Sequence, residues 1–571
     1  MNKQDIINSA NKWLSPIFDK ETQKEVKNIL SINSDDLIER FYKDLEFGTG
    51  GMRGIMGIGT NRINKYTLGK ATQGLSNYLI NKYPNKKCSV AVAYDCRKNS
   101  DSLAKIVSDV FTANGIKVFL FENMRPTPEL SFAVSYLGCD AGIVLTASHN
   151  PPEYNGFKVY SSDGAQIVIP EDEFIIHEIN SLDFSKIKFN PDSSLLHYLG
   201  EEIDNAFIDA SISNVTVDLK NRDDLVIVFT SLHGTSITLM PEMFKRAGYK
   251  NVHFVDEQKI PDGNFPTVES PNPEEPAALK LALELADKVN ADIVIGTDPD
   301  SDRLGVAVRD LNGNMILLNG NQTMVVMTDF LIKQWKNNGK INGNQFVAST
   351  IVSTDMVDQI AAKYAVENKI SLTGFKWIAK LIKENSNKEF IGGGEESFGY
   401  MVGDFVRDKD AISSTLLACE IAASAKANRS TFYKELLSLY LEHNYYKEHL
   451  IALVKKGIDG VNQINQIMIN LRKKPLIEID GEKVRYIIDY KSSIKKDLFS
   501  GVETEVNIPK SNVLVFLTES GTKVSARPSG TEPKIKFYIS VNKPFGDIND
   551  VDLIDNILAN KIKRITKLLG L

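Results

Sequence analysis

The chain has 571 residues, of which 42% are hydrophobic and 25% charged, a composition that excludes wholesale disorder. Its 73 acidic and 67 basic side chains give a formal net charge of -6, which argues against a dedicated nucleic-acid binder but leaves room for a local basic funnel. This length corresponds to three or four domains rather than one core.

Residues 1–45 read as a helical extension, polar and charge-broken over the first twenty, with no apolar stretch of the kind a secretory signal needs. No run approaches the ~18 apolar residues of a membrane span, so no membrane partner is expected. Cys88, Cys96, Cys139 and Cys419 are scattered without a C-x-x-C pair, which excludes a zinc ribbon or redox motif and fits a reduced cytoplasmic setting. Gly48-Thr49-Gly50-Gly51-Met52-Arg53-Gly54 aligns with neither nucleotide-loop pattern and reads as flexible backbone presenting Arg53.

Three stretches then repeat one order of elements. Short apolar runs at Ser89–Tyr94, Lys117–Phe121 and Gly142–Leu145 alternate with helical spacing. The same order recurs at Leu225–Phe229, Val252–Val255 and Asp292–Ile295, and again at Gln345–Ala348, Lys369–Leu372 and Glu389–Ile391. This alternation predicts βαβ units with largely parallel sheets. Each third run leads into a polar loop, where open α/β sheets bind ligands. From about Tyr446 the texture changes to a helix at Val461–Leu471 and strands at Val484–Tyr490, Val513–Thr518, Lys523–Ala526 and Lys534–Val541. The expected fold is therefore α/β, with similar mixed α/β domains at 46–205, 206–318 and 319–445 and an α+β domain at 446–571.

Asp298, Asp300 and Asp302 alternate directly after a strand. Carboxylates this close repel one another unless a cation sits among them, and an all-oxygen set suits Mg²⁺ better than zinc. An EF-hand is excluded, because Arg303 stands where its loop needs Gly and Arg309 where it needs Glu. Ser148, between Ala147 and His149, lacks the G-x-S-x-G elbow and reads either as a phosphate carrier or as a simple turn. Arg527-Pro528-Ser529-Gly530-Thr531 is either an anion nest or a strand-end turn. Lys376, after Thr373-Gly374-Phe375, is either a surface lysine or a phosphate contact.

Taken together, TASHNPPEYNGFK (146–158), GTDPDSDR (296–303), GGGEESFGY (392–400) and RPSGTEP (527–533) resemble the four motifs of the α-D-phosphohexomutase superfamily, in order. The resemblance covers the chain from about residue 45. The FGTGGMRG stretch and the 399–411 segment resemble its longer phosphoglucomutase–phosphopentomutase branch. It implies four domains around a central cleft, with Ser148 as the phosphoserine and Mg²⁺ held by Asp298, Asp300, Asp302 and a phosphoserine oxygen. Arg303, Arg53 and His149 would line the same pocket, with Lys158 as general acid or base. Glu395 and Ser397 would bind sugar hydroxyls, while Arg527, Ser529, Gly530, Thr531 and Lys376 would hold the non-reacting phosphate. The implied activity interconverts glucose 1-phosphate and glucose 6-phosphate, with glucose 1,6-bisphosphate as intermediate and activator. A phosphopentomutase or phosphomannomutase shares that mechanism, and a phosphosugar phosphatase or a non-catalytic binder is a further alternative. Small phosphosugars are the expected partners, and a monomer and a homodimer are equally compatible with the residues.

Overall fold

The computed structural model describes residues 3–32, 35–48, 50–215, 217, 222–455, 457–529 and 534–571. The chain divides into two compact units, one of residues 1–320 with 375–429 and the other of residues 321–374 with 430–571.

The first unit opens with helices Lys3–Lys12, Lys20–Ile32 and Asp35–Phe41, which bury Trp13, Phe18, Val26 and Phe41 in a cluster of their own. A six-stranded sheet follows, built from β1 (Gly51–Ile55), β2 (Ser89–Tyr94), β3 (Lys117–Phe121), β4 (Ala141–Leu145), β5 (Tyr154–Ser161) and β6 (Leu196–Leu199), in the order β1-β5-β4-β2-β3-β6. The middle strands are near-continuous apolar runs because helices cover both faces of the sheet. A second sheet is built from β7 (Ile227–Thr230), β8 (Val252–Phe254), β9 (Ile293–Thr297), β10 (Leu304–Arg309) and β11 (Met315–Leu317), in the order β11-β10-β9-β7-β8.

The two sheets share a plan. In each, the third strand of a parallel trio (β4 or β9) pairs with the first (β2 or β7), then hands over to an antiparallel return strand (β5 or β10). The Ser148 loop and the Asp298–Asp302 loop therefore occupy equivalent corners, between a third strand and its return. The hairpin Glu389–Gly394 with Tyr400–Val402, also antiparallel, presents residues 395–399 in the same way.

Two expectations change. The sheets are mixed rather than largely parallel, because β5 and β10 run against their neighbours. The sequence of β5, YNGFKVYS, hides this because functional polar residues interrupt its apolar pattern. Within the glycine-rich stretch, Gly51–Ile55 is not flexible backbone but the edge strand β1, in register with β5 from Gly51↔Lys158 to Ile55↔Tyr154. Its glycines permit close approach: Gly51 has φ 141, and a Cβ there would lie 2.0 Å from the Phe157 carbonyl oxygen.

In the second unit, Gln345–Thr350 and Glu367–Ser371 form a parallel pair. The C-terminal part is an antiparallel sheet in which Tyr445–Val454 pairs along its whole length with Lys534–Lys543, accompanied by helices Gly457–Lys473 and Val551–Leu568.

Gly51→Ala tests the edge strand. It should cost about 2 kcal/mol, seen as a lower urea midpoint at unchanged slope, because the added methyl cannot avoid the Phe157 carbonyl. A midpoint within error of wild type would show that the β1–β5 approach is not tight.

Candidate functional site

Asp298, Asp300 and Asp302 are 0–1% exposed, and one oxygen from each lies within 4.8 Å of those of the other two. Among the described residues this is the one such cluster of acidic, His or Cys groups. Three buried carboxylates are costly unless charge and hydrogen bonds compensate them. Lys158 on β5 supplies part of the compensation, its Nζ lying 2.6 Å from Asp300 Oδ2 and 3.0 Å from Asp302 Oδ2. Lys409, just before helix Ala411–Ala427, adds a contact of 2.6 Å to Asp302 Oδ2. Asp298 Oδ1 accepts the backbone N–H groups of Asp302 (2.9 Å) and Arg303 (3.0 Å).

The loop backbone is satisfied from three directions. The N–H of Thr127, which starts helix Thr127–Leu137, donates to the Asp300 carbonyl at 2.9 Å. The N–H of Thr235 reaches the Pro299 carbonyl at 2.9 Å, and that of Ala411 the Ser301 carbonyl at 3.1 Å. The first N–H groups of a helix have no partner within it, so helix starts and a buried loop's carbonyls complete each other.

Ser148 adopts left-handed backbone (φ 53) and is buried. Its Oγ donates to Asp298 Oδ2 at 2.7 Å and lies 3.2 Å from His149 Nδ1. Burial pushes the Asp298 carboxyl well above the usual range, and repulsion from Asp302 and Asp300 adds to it. Burial pushes Asp300 up as well, but Lys158 and Lys409 outweigh it and hold this carboxyl low. Asp302 is also held low, the lysines and Arg303 overcoming burial and its repulsion from Asp300. His149 is kept well below its ordinary range, first by burial and then by the charges of Arg303 and Arg53. The imbalance of charge thus falls on Asp298, the carboxylate that the serine touches.

The fit to a cation rests on two orphaned atoms. Asp300 Oδ1 and Asp302 Oδ1 are buried without a hydrogen-bond partner, beside an all-oxygen donor set suited to a hard divalent ion. Arg303 forms an ion pair with Glu274 and reaches the Ser397 carbonyl at 3.4 Å, while its Nε is a buried donor without a partner.

Of the residues singled out from the motifs, Ser148, His149, Lys158, Arg303 and the three aspartates converge here. Arg53 joins them through Asn150 Oδ1 at 3.0 Å, and Glu395 and Ser397 follow the Glu389–Gly394 strand beside Arg303. Lys376 instead lines a cavity of about 300 Å³ between its own helix and residues 161–171. Arg527 lies in the second unit on a strand register opposite Lys536, and the Ser529 N–H donates to the Lys534 carbonyl at 2.7 Å. Gly530 and Thr531 lie outside the described residues. Sequence reasoning missed Lys409, Thr127, Glu274 and Arg97, whose partners are remote in the chain. Only Lys409 carried a signal, because it falls inside the motif-like 399–411 segment.

Comparison with known proteins places the chain. Residues 44–186, 205–313 and 319–440 match the profiles described as phosphoglucomutase/phosphomannomutase α/β/α domains I, II and III. The phosphoglucomutase of Staphylococcus aureus (strain MRSA252) is 38% identical, covering 92% of this chain and 94% of that one. The phosphoglucomutase pp63/parafusin of Paramecium, solved in an open form, shares the fold with a TM-score of 0.67 at 16% identity, covering 93% of this chain and 96% of that one. The N-acetylphosphoglucosamine mutase of Aspergillus fumigatus, solved with GlcNAc-6P and magnesium, aligns with a TM-score of 0.50 at 13% identity over 98% of each chain.

A hard divalent cation should stabilise this chain through the aspartate cluster. MgCl₂ at about a hundred times its dissociation constant should add about 2.7 kcal/mol to unfolding stability. Asp300→Asn should remove most of that gain, read by denaturant titration with and without EDTA. An equal gain in the variant would place the ion elsewhere.

Proposed function

The chain belongs to the phosphoglucomutase/phosphomannomutase family, within the α-D-phosphohexomutase superfamily, and we propose that it interconverts glucose 1-phosphate and glucose 6-phosphate through a phosphoserine at Ser148. The observation that supports this most is the 2.7 Å contact of Ser148 Oγ with Asp298, beside two partnerless carboxylate oxygens. The name of the staphylococcal relative supports glucose phosphates as substrates. The donor set favours Mg²⁺, which Asp298, Asp300, Asp302 and an oxygen at Ser148 would hold and which would supply positive charge against the phosphoryl oxygens.

Phosphoryl transfer depends on in-line positioning and electrostatics more than on covalent help from the protein. A sugar hydroxyl oxygen forms the new P–O bond as the bond from phosphorus to Ser148 Oγ breaks. The proton leaving the hydroxyl balances the one that Ser148 Oγ regains, with Lys158 Nζ as its carrier. The resulting glucose 1,6-bisphosphate turns around and returns its other phosphoryl group to Ser148. Arg303 and Arg53 neutralise phosphoryl charge, and His149, kept uncharged, orients the serine through Nδ1. Glu395 and Ser397 take sugar hydroxyls. Arg527, Ser529, Gly530, Thr531 and Lys376 take the non-reacting phosphate. The domain limits that go with this reading are 46–205, 206–318, 319–445 and 446–571. Small phosphosugars are the partners; among the described residues no helix is long and apolar enough to cross a membrane.

Ser148→Ala should lower mutase turnover by about 10³-fold or more while leaving the fold intact. Wild-type protein treated with glucose 1,6-bisphosphate should gain one phosphate by intact mass, and the variant none. Near-wild-type turnover in the variant would end the phosphoserine reading. Across glucose, mannose and ribose 1-phosphates, kcat/KM should be highest for glucose, and a preference for ribose would move the chain to the phosphopentomutases.

A further inference from the structure

Arg97 stands outside every motif, yet it organises the serine loop. Its guanidinium is fully buried, in the segment between β2 and helix Ser100–Ala113. Nη2 donates to the Ser148 carbonyl at 2.6 Å and also to the Asn150 carbonyl. Nη1 donates to the carbonyls of Pro151 at 2.7 Å and Tyr154 at 3.1 Å. Four carbonyls spread over seven residues thus turn inward onto one rigid fork.

The fork is itself held. Arg97 Nε lies 3.3 Å from Asp95 Oδ2, with both side chains fully buried. Asp95 Oδ1 accepts the Arg97 N–H at 2.9 Å and the Ser100 hydroxyl at 2.8 Å. Ser100 in turn accepts Asn155 Nδ2 at 2.9 Å, which closes the ring back onto the start of β5. Phe265 packs with its ring centroid 5.2 Å from the guanidinium carbon. Gly263 lies so close that a Cβ there would sit 2.7 Å from Arg97 Cα.

Left-handed backbone at a non-glycine residue is strained and persists only where its surroundings over-determine it. Arg97 grips the loop at the strained residue and directly after it, through the carbonyls of Ser148 and Asn150. We infer that Arg97 is a positioning residue for phosphoryl transfer, a clamp that fixes the Ser148 loop so that Oγ stays against Asp298. Lysine would keep the charge but not the planar fork that spans four acceptors. A shift of about 1 Å at the reacting atom costs about 10²-fold in rate.

This inference rests on the phosphoserine reading, and the experiment separates the two. Arg97→Lys should fold, lower kcat by about 10²-fold and leave KM for the sugar phosphate within about 3-fold. Phosphorylation of Ser148 by glucose 1,6-bisphosphate, followed by intact mass in a quenched time course, should slow by the same factor. A folded Arg97→Lys with kcat within about 3-fold of wild type overturns the clamp, as does a change in KM alone. Should Arg97→Lys fail to fold, Asp95→Asn decides, because it loosens the fork without emptying the site. A fall in kcat of about 10-fold at constant KM supports the clamp, and unchanged kcat overturns it. Ser148→Ala is the control: if it stays active the phosphoserine reading fails, whereas an inactive Ser148→Ala beside an active Arg97→Lys removes only the clamp.

Discussion

Three carboxylates held out of water within 4.8 Å of one another are the constraint around which the first unit is arranged. Each buried ion costs several kcal/mol unless it is paired, so the surrounding fold must deliver compensation from many directions. It does so with two ammonium groups and with backbone N–H groups of the loop itself, while the starts of helices remote in sequence satisfy the loop's carbonyls. Three carboxylates against two lysines leave one net negative charge among these five groups.

The repeated strand plan explains how one cluster recruits so many segments. β4 and β9 each end in a polar loop that reverses into an antiparallel strand, so residues on the return strand look back at the loop. Lys158 occupies such a position on β5, next to Val144 of β4. Both loops turn through a left-handed serine, Ser148 in one and Ser301 in the other. The hairpin at 389–402 adds a third polar loop, tied to the end of the Asp298–Asp302 loop by the Leu304 N–H to the Phe398 carbonyl at 2.9 Å.

What could be read from the chain follows from how densely function is packed along it. Ser148 to Lys158 and Asp298 to Arg303 each lie within about a dozen residues, so their chemistry shows as local pattern. Lys409 acts on Asp302, 107 positions earlier, and Thr127 acts on Asp300, 173 positions later. A lone lysine or threonine carries no sign of such a partner. Arg97 is still less visible, because it binds backbone carbonyls, which every residue has. The edge strand β1 was obscured for another reason: glycines that serve close strand approach look the same as glycines that serve a loop.

The same network determines how the first unit must fold. Helix-covered strands such as β2 and β4 bury Val, Ile and Leu side chains worth about 1.5–3 kcal/mol each, which gives the serine sheet a core of its own. Yet the sheet that carries Ser148 also carries Lys158, whose partners Asp300 and Asp302 belong to the loop of the second sheet. Separating the two sheets would leave the Lys158 ammonium on one side and, on the other, Asp300 without its lysine and Asp302 with Lys409 alone. It would also remove the Thr127 donor from the Asp300 carbonyl and the Phe265 ring from the Arg97 guanidinium. Breaking a buried pair costs more than the pair contributes, since the remaining charge is left uncompensated. The serine sheet and the sheet of the Asp298–Asp302 loop are therefore coupled within one compact unit, and the geometry between Ser148 and Asp298 depends on both.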